Sequence, residues 1–363
     1  MAPTPFGRDG LFGGGERYPL ELARALASEV ECELITFGTS GRLQTDASGL
    51  RIRTLRAIGW RAGHPAQPIA PVLPVVLARA GPQVIHTHHL RSLPSQVAVV
   101  VGRGRGARMA VTDHGLQGSD WGGRLPRLYD RFLAVSAYSA RELRAPRSRT
   151  RVIYGGADPK RYAPDPTLAR RGVLFVGRLT PHKGVDRLLQ ALPADAEARI
   201  VGSGGHDPLP PERDYPQLLQ TLALGKRVHF AGPVSDAHLP GVYRSAQVLV
   251  LPSVEVTCYG KRIAVSELLG LVVLEAMASG TPVIASRLGG LPEIVRDGET
   301  GFLVPPGDVG ALNDRLRQVL GDQALQTRLG RQARQDVLER FTWARVAERC
   351  LAAYSDVLHA QVR

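Results

Sequence analysis

Two carboxylates, Glu267 and Glu275, stand eight positions apart in this chain, and Gly270 sits three places after the first. A helical pattern follows, with Leu271, Leu274 and Met277 on one face, and Gly280 ends it. A helix that starts near Gly270 leaves the N–H groups of Leu271 and Val272 aimed out of its first turn. There the unpaired donors and the helix dipole favour an anion. Glu267 then falls in the turn before the helix and Glu275 on an early turn of it. Upstream, Gly177 closes an apolar run at 172–176, and Arg178 and Lys183 follow five apart, before a helix expected from Val185. Arginine forks onto two phosphate oxygens and lysine adds a compact charge. These types suit a diphosphate, which needs neutralising charge above all while it departs as a leaving group.

Further candidates stand at strand ends. The strand 108–112 is followed by Asp113-His114-Gly115, and ligands of open α/β sheets sit beyond the carboxyl ends of strands. His114 is therefore placed to meet a ligand. His86-Thr87-His88-His89 ends another short strand, and His86 and His88 share a side of an extended chain. No carboxylate or cysteine accompanies them, so a strand-end role is expected rather than zinc. Gly13, Gly14 and Gly15 form a turn ahead of a helical pattern at Leu20, Leu22, Ala23 and Leu26, which lets backbone approach a ligand closely. The strand at 199–201 ends in Gly202 and Gly204, and another ends near Pro233 and Val234.

The elements that must hold these residues alternate as strand and helix in both halves, which predicts two α/β domains. A length of 363 residues and 44% hydrophobic content suffice for two cores. No run of 18 apolar residues occurs, and no basic segment followed by an apolar core opens the chain, so neither a transmembrane helix nor a signal peptide is expected. Cys32, Cys258 and Cys350 are scattered without metal or disulfide spacing, consistent with a reducing cytoplasm. The net charge of +13 comes almost wholly from arginine, since lysine occurs only at 160, 183, 226 and 261. No basic helix with interleaved aromatics and no zinc or helix-turn-helix pattern supports a nucleic-acid partner. Five arginines at positions 141–151 read as a solvated face or as a surface for anionic acceptors or the inner membrane face.

The stretch 266–282, with its Glu, seven residues, Glu pattern before Gly-Thr-Pro-Val, resembles family 4 of the retaining glycosyltransferases. The Gly-Arg-Leu and Lys-Gly residues at 177–184 and the segments 289–295 and 298–304 resemble it too. The likeness spans nearly the whole chain and is strongest over 172–304. It implies a GT-B fold, two Rossmann-like domains facing an interdomain cleft: residues 1–165 on the acceptor side, 166–341 holding the nucleotide sugar, and a helix at 342–363 crossing back onto the first domain. The proline-rich stretch to Pro166 is the expected linker. It also implies a metal-independent, retaining hexosyl transfer from a nucleotide-diphosphate sugar to a glycan, lipid or small-metabolite hydroxyl, with no cofactor besides that co-substrate. By the same likeness Glu275 holds ribose hydroxyls, Glu267 the donor sugar, His114 the reacting sugar, and Arg178 and Lys183 the diphosphate. Gly14, Gly15 and Glu16 match a loop over donor and acceptor. The strand ends at Gly177, Gly202, Gly204, Pro233 and Val234, with Gly270, Leu271 and Val272, approach the nucleotide sugar.

The chain departs from the family in two places. Residues 254–265 intervene before the first glutamate, so Glu255 competes with Glu267 for that role; only Glu267 keeps the eight-residue interval to Glu275. Leu268 and Leu269 replace the usual glycine and aromatic, which alters the wall of the sugar pocket. Gly155 stands where asparagine is usual. Rival readings are a nucleotide-sugar epimerase of the same fold, a non-catalytic sugar-nucleotide-binding protein and a nicotinamide dehydrogenase. The last lacks a glycine fingerprint followed by a strand-end acid.

Overall fold

The computed structural model describes residues 1–3, 14–115, 119–204 and 212–359. They form two compact units, Met1–Gly155 with Trp343–Arg363, and Gly156–Thr342. In chain order the first unit holds α1 (Gly14–Ala27), β1 (Glu33–Gly38), β2 (Arg42–Thr45), β3 (Arg51–Arg56), β4 (Gly59–Trp60), β5 (Pro68–Ile69), α2 (Leu73–Ala80), β6 (Val84–His88), α3 (Leu93–Gly104), β7 (Arg108–Thr112), β8 (Arg131–Ala134), α4 (Ala137–Glu142) and β9 (Thr150–Val152). The second unit follows with β10 (Val173–Val176), α5 (Val185–Ala191), β11 (Glu197–Val201), α6 (Tyr215–Ala223), β12 (Arg227–Gly232), α7 (Leu239–Arg244), β13 (Val248–Leu251), α8 (Leu271–Ala278), β14 (Val283–Ser286), α9 (Leu291–Ile294), β15 (Phe302–Val304), α10 (Val309–Gly321) and α11 (Gln323–Arg340). The last helix, α12 (Trp343–His359), belongs to the first unit and packs on α1, β7 and β8.

In the first unit a three-stranded sheet runs β1-β3-β2 and a parallel four-stranded sheet runs β6-β7-β8-β9. Residues 1–3 stitch the two together. Ala2 N–H donates to Ile35 at 2.9 Å, and His88 N–H donates to Met1 at 3.0 Å. One core, with Phe37, Leu73, Met109 and Phe132, lies under α2 and α3, and a second gathers Leu20, Leu34, Leu50 and Ile52 around α1. Helix starts follow their caps. Ser92 accepts from Ser95 N–H ahead of α3, and Ser136 forms a reciprocal capping box with Ser139 at α4.

The second unit is a six-stranded, wholly parallel sheet in the order β12-β11-β10-β13-β14-β15. Counted from β10 this is the 3-2-1-4-5-6 order of a Rossmann sheet, whose strand order reverses between β10 and β13. β10, β13 and β14 are runs of valine, leucine, isoleucine, alanine and phenylalanine, with one closing serine, buried at every position, as a sheet covered on both faces requires.

Several expectations need correction. α2 begins at Leu73 with Pro74 in its first turn, and the residues before it, Pro68 and Ile69, pair as β5 with β4. Gly14, Gly15 and Glu16 lie in the first turn of α1 rather than in a loop, and the glycine turn ahead of Gly14 falls outside the described residues. Of the three residues expected on one face of α8, Leu274 and Met277 are fully buried, but Val273, Ala276 and Ala278 are too, because α7, α11 and the sheet surround the helix. An additional helix, α11, stands ahead of the expected closing helix. It buries Leu325, Leu329, Ala333 and Val337 at a strict four-residue spacing, with Gly330 against the carbonyl of Gly280. The proline-rich stretch before Pro166 packs within the second unit, where Tyr162 is buried and Pro164 lies against Gly280. Among the described residues no helix is long and apolar enough to cross a membrane.

Candidate functional site

The second unit brings its chemistry together where the strand order reverses. Lys183, in the loop after β10, donates to Oε1 of Glu267, and Ser253, two residues past β13, donates its hydroxyl to the same oxygen at 2.8 Å. Glu267 is 5% exposed and Ser253 is fully buried, so the carboxylate is held by a cation and a hydroxyl inside the unit. Glycines allow this convergence. Gly184 has φ +69°, and a Cβ there would strike the carbonyl of Pro252; Gly289 has φ +63°, and a Cβ there would strike the carbonyl of Glu267. Gly290 N–H also donates to Glu267 O at 3.1 Å, and Val254 N–H donates to His182 O at 2.9 Å. Three loops, each ending a parallel strand, are thereby locked edge to edge.

Lys183 was expected to serve a diphosphate and Glu267 a sugar, as separate groups. The structure pairs them, 84 positions apart in sequence. Arg178 is different: it is exposed and forms no ion pair with any described residue. The strand-end glycines form a row. Gly177 N–H donates to Val201 O at 3.0 Å, and Gly202 N–H donates to Gly232 O at 2.9 Å. Gly202, at φ +135°, leaves no room for a Cβ beside the Gly177 carbonyl, whereas a Cβ at Gly204 would meet no described atom within 4 Å. Pro233 and Val234 follow β12 directly.

α8 begins as expected, with Gly270 as its cap at φ +99° and Val273 N–H the first to find a partner, Gly270 O at 3.0 Å. Its other end is tied by arginine. Arg170 donates to Gly280 O at 2.5 Å and Ser279 O at 3.3 Å, and Arg334 donates to Ala278 O and to Tyr162 O at 3.0 Å. Two guanidinium groups thus satisfy and neutralise the carbonyl end of this buried helix. Burial pulls both guanidinium groups below the ordinary arginine range. Glu275 is 3% exposed, and Tyr243 donates to its Oε2 at 2.7 Å.

The insertion at 254–265 is a small hairpin. Val256 bridges Arg262 in antiparallel register, and Ile263 N–H donates to Glu255 O at 2.7 Å. Glu255 is exposed and Glu267 is the buried carboxylate, which separates the two candidates for the first glutamate. The hairpin leans on the start of α6: Lys261 pairs with Glu212 at 2.8 Å, and Tyr259 meets Tyr215 edge to face at 6.4 Å.

In the first unit, His114 lies two residues beyond β7, beside the histidines that end β6. His88 Nδ1 is 3.2 Å from His114 Nε2. His86 bonds Tyr354 Oη at 2.7 Å and Thr112 Oγ1 at 2.9 Å. Burial depresses all four rings, His86 to about 3, His89 to about 4, and His88 and His114 well below the ordinary imidazole value, so they are neutral. Among the described residues no group of side chains is arranged to hold a metal. Of the five arginines at 141–151, Arg149 donates to Tyr129 O at 2.6 Å and Arg151 pairs with Asp356 at 3.3 Å, so that face is partly internal structure.

Two Rossmann-like α/β units define the GT-B class. Residues 166–336 match the family described as Glycosyl transferases group 1, and residues 12–161 match Glycosyltransferase Family 4. The chain is 30% identical to the D-inositol 3-phosphate glycosyltransferase of Streptomyces scabiei over 404 residues, covering 96% of this chain and 87% of that protein. It is 34% identical to the enzyme of the same name from Corynebacterium glutamicum over 230 residues; the chain spans about half the length of that and several other curated relatives, 52% in this case. Among solved structures it superposes on sucrose-phosphate synthase from Thermosynechococcus elongatus with a TM-score of 0.74 at 27% identity, covering 96% of this chain and 94% of that one. Anabaena Alr3699/HepE, solved with UDP-glucose, has the same fold at a TM-score of 0.71 and 20% identity, with 98% of each chain covered. The chain belongs to the family 4, group 1 glycosyltransferases.

Proposed function

We propose that this protein moves a hexosyl unit from a nucleotide-diphosphate sugar to a hydroxyl acceptor, with retention at the anomeric carbon and without a metal. The observation that carries the reading is the locked group at the sheet's reversal: Lys183, Ser253 and Glu267 beside Arg178 and the free start of α8. Arg178 supplies an uncommitted guanidinium for the diphosphate, Leu271 and Val272 supply backbone donors, and Lys183 bridges the leaving phosphate to Glu267. Glu267, held in place by Lys183 and Ser253, accepts from hydroxyls of the donor sugar, and Glu275 accepts from the ribose.

In the proposed step the acceptor oxygen bonds to the anomeric carbon on the face from which the diphosphate departs. The bond from that carbon to the phosphate oxygen breaks, and the acceptor proton passes to the departing phosphate. The products are a glycoside and a nucleoside diphosphate. Arg178 and Lys183 provide the charge that a metal supplies in other phosphate chemistry. The chain's likeness to D-inositol 3-phosphate glycosyltransferases makes that phosphorylated polyol the first acceptor to assay, with UDP- and GDP-hexoses as donors. The test is acceptor-dependent release of nucleoside diphosphate in chelator, with the product's anomeric configuration read by NMR. Retained configuration and chelator resistance support the reading; an inverted product or loss of turnover in chelator overturns it.

A further inference from the structure

The carboxyl edge of the first unit's sheet carries a histidine array with more order than a strand end requires. β6 and β7 pair in parallel with His88 opposite Thr112. His86 precedes His88 by two residues on β6, so the pleat puts their rings on one side, and His114, two residues past the end of β7, sets its ring against His88. The rings of His86 and His88 stack at 4.7 Å and 26°. Those of His88 and His114 are nearly parallel, at 12°, with centroids 5.5 Å apart. Since their nitrogens approach to 3.2 Å, these two rings meet edge to edge through a hydrogen bond.

Two neighbours of the pair, Tyr18 and His86, are themselves anchored by hydrogen bonds. Tyr18 of α1 sets its ring edge-on to His88 at 5.9 Å and to His114 at 5.2 Å. Its hydroxyl donates to Tyr154 O at 2.5 Å, and its ring lies edge-on to Trp343 at 5.3 Å. His86 is held through both nitrogens, by Tyr354 and Thr112. His89 closes the other side of His114 at 5.0 Å from a backbone with φ +64°. A neutral imidazole has one N–H, so one proton occupies the His88–His114 contact. Whichever ring donates it, the tautomer of His114 is coupled to that of His88, and Nδ1 is left as the only other nitrogen of His114 able to meet a ligand.

We propose that His88 is a positioning residue for transfer: through its Nδ1 contact with Nε2 of His114 it fixes the plane of that ring and the nitrogen that carries its proton. The inference rests on the reading of His114 as the group that touches the transferred sugar. A hydroxyl of that sugar then meets an Nδ1 of one defined character, donor or acceptor, rather than a ring that turns over. Losing the contact misorients His114 during transfer and leaves donor binding, a property of the other unit, nearly intact.

The test uses the full chain with 15N-labelled histidine. His88→Asn keeps a polar atom near the position of Nδ1, and His88→Leu removes it. In the wild-type protein and in His88→Asn, His114 shows the nitrogen shifts of a single neutral tautomer. In His88→Leu those shifts average between tautomers, and kcat falls by about 10- to 100-fold while KM for the donor stays within about threefold. A single unchanged His114 tautomer in His88→Leu overturns the proposal, as does an equal loss of kcat in both variants. If no donor is turned over by the wild-type protein, the reading of the transfer site fails, while the nitrogen spectra still decide whether His88 sets the state of His114.

Discussion

Replacing Lys183 by methionine strands a buried carboxylate. Glu267 is 5% exposed and accepts from two groups, the Lys183 ammonium and the Ser253 hydroxyl. Removing one member of a buried ion pair costs about 3–5 kcal/mol, because the partner's desolvation is no longer offset. The Lys183 side chain keeps 16% exposure and Ser253 still donates, which places the cost near the lower bound, about 3 kcal/mol. For a unit of roughly 190 residues each kcal/mol moves the melting temperature by about 2–4 °C, so the second unit's transition should fall by about 6–12 °C. Adding Glu267→Gln removes the stranded charge and leaves an oxygen for Ser253, so the double variant should recover to within about 1 kcal/mol of wild type. The assay is calorimetric melting of wild type, both single variants and the double. A Lys183→Met transition within about 2 °C of wild type would refute the buried-pair reasoning, as would strictly additive losses in the double variant.

Gly202→Ala forces a Cβ onto the Gly177 carbonyl at a backbone with φ +135°, and should cost about 3 kcal/mol or more in a denaturant titration; a cost below about 1 kcal/mol would show that the strand ends can part. Lys261→Ala removes an ion pair whose lysine is 56% exposed, and should change stability by less than about 1 kcal/mol by the same titration. The histidines give the first unit an acid dependence. Above about pH 6.5 these rings are neutral in both folded and unfolded chains; below it the unfolded chain takes up protons that the fold refuses. Stability therefore falls with pH, by about 1.4 kcal/mol per unit for each ring, until the folded ring titrates near 4 for His89. His89→Asn, which tolerates the left-handed backbone there, should flatten the denaturant midpoint's fall between pH 6 and 4; an unchanged slope would contradict the neutral state of that ring.

What was legible in the sequence was what local chemistry fixes. β7, β10 and α8's start lie where apolar runs and Gly270 put them, and the eight-residue interval places Glu267 before α8 and Glu275 on it. What was hidden required tertiary pairing. Lys183 and Glu267 meet only because Gly184 and Gly289 let three loops close, and neither glycine's neighbour is local in sequence. The link between His88 and His114 depends on the parallel register of β6 and β7. α11 was missed because its apolar stripe is narrow and shares its buried face with Gln326, Gly330 and Asp336, so propensity and capping by Asp322 carry it more than hydrophobic contrast. Two arginines that read as surface charge, Arg170 and Arg334, instead end α8 internally.

The most direct measurement of the central claim is calorimetric binding of a nucleoside diphosphate and its parent nucleoside to the wild-type chain and to Arg178→Ala. The account predicts that UDP or GDP binds at least about tenfold more tightly than uridine or guanosine, and that Arg178→Ala, whose side chain is exposed and unpaired among the described residues, erases most of that difference while melting as the wild type does. Equal affinity for diphosphate and nucleoside, or a diphosphate preference untouched by the loss of Arg178, would contradict it.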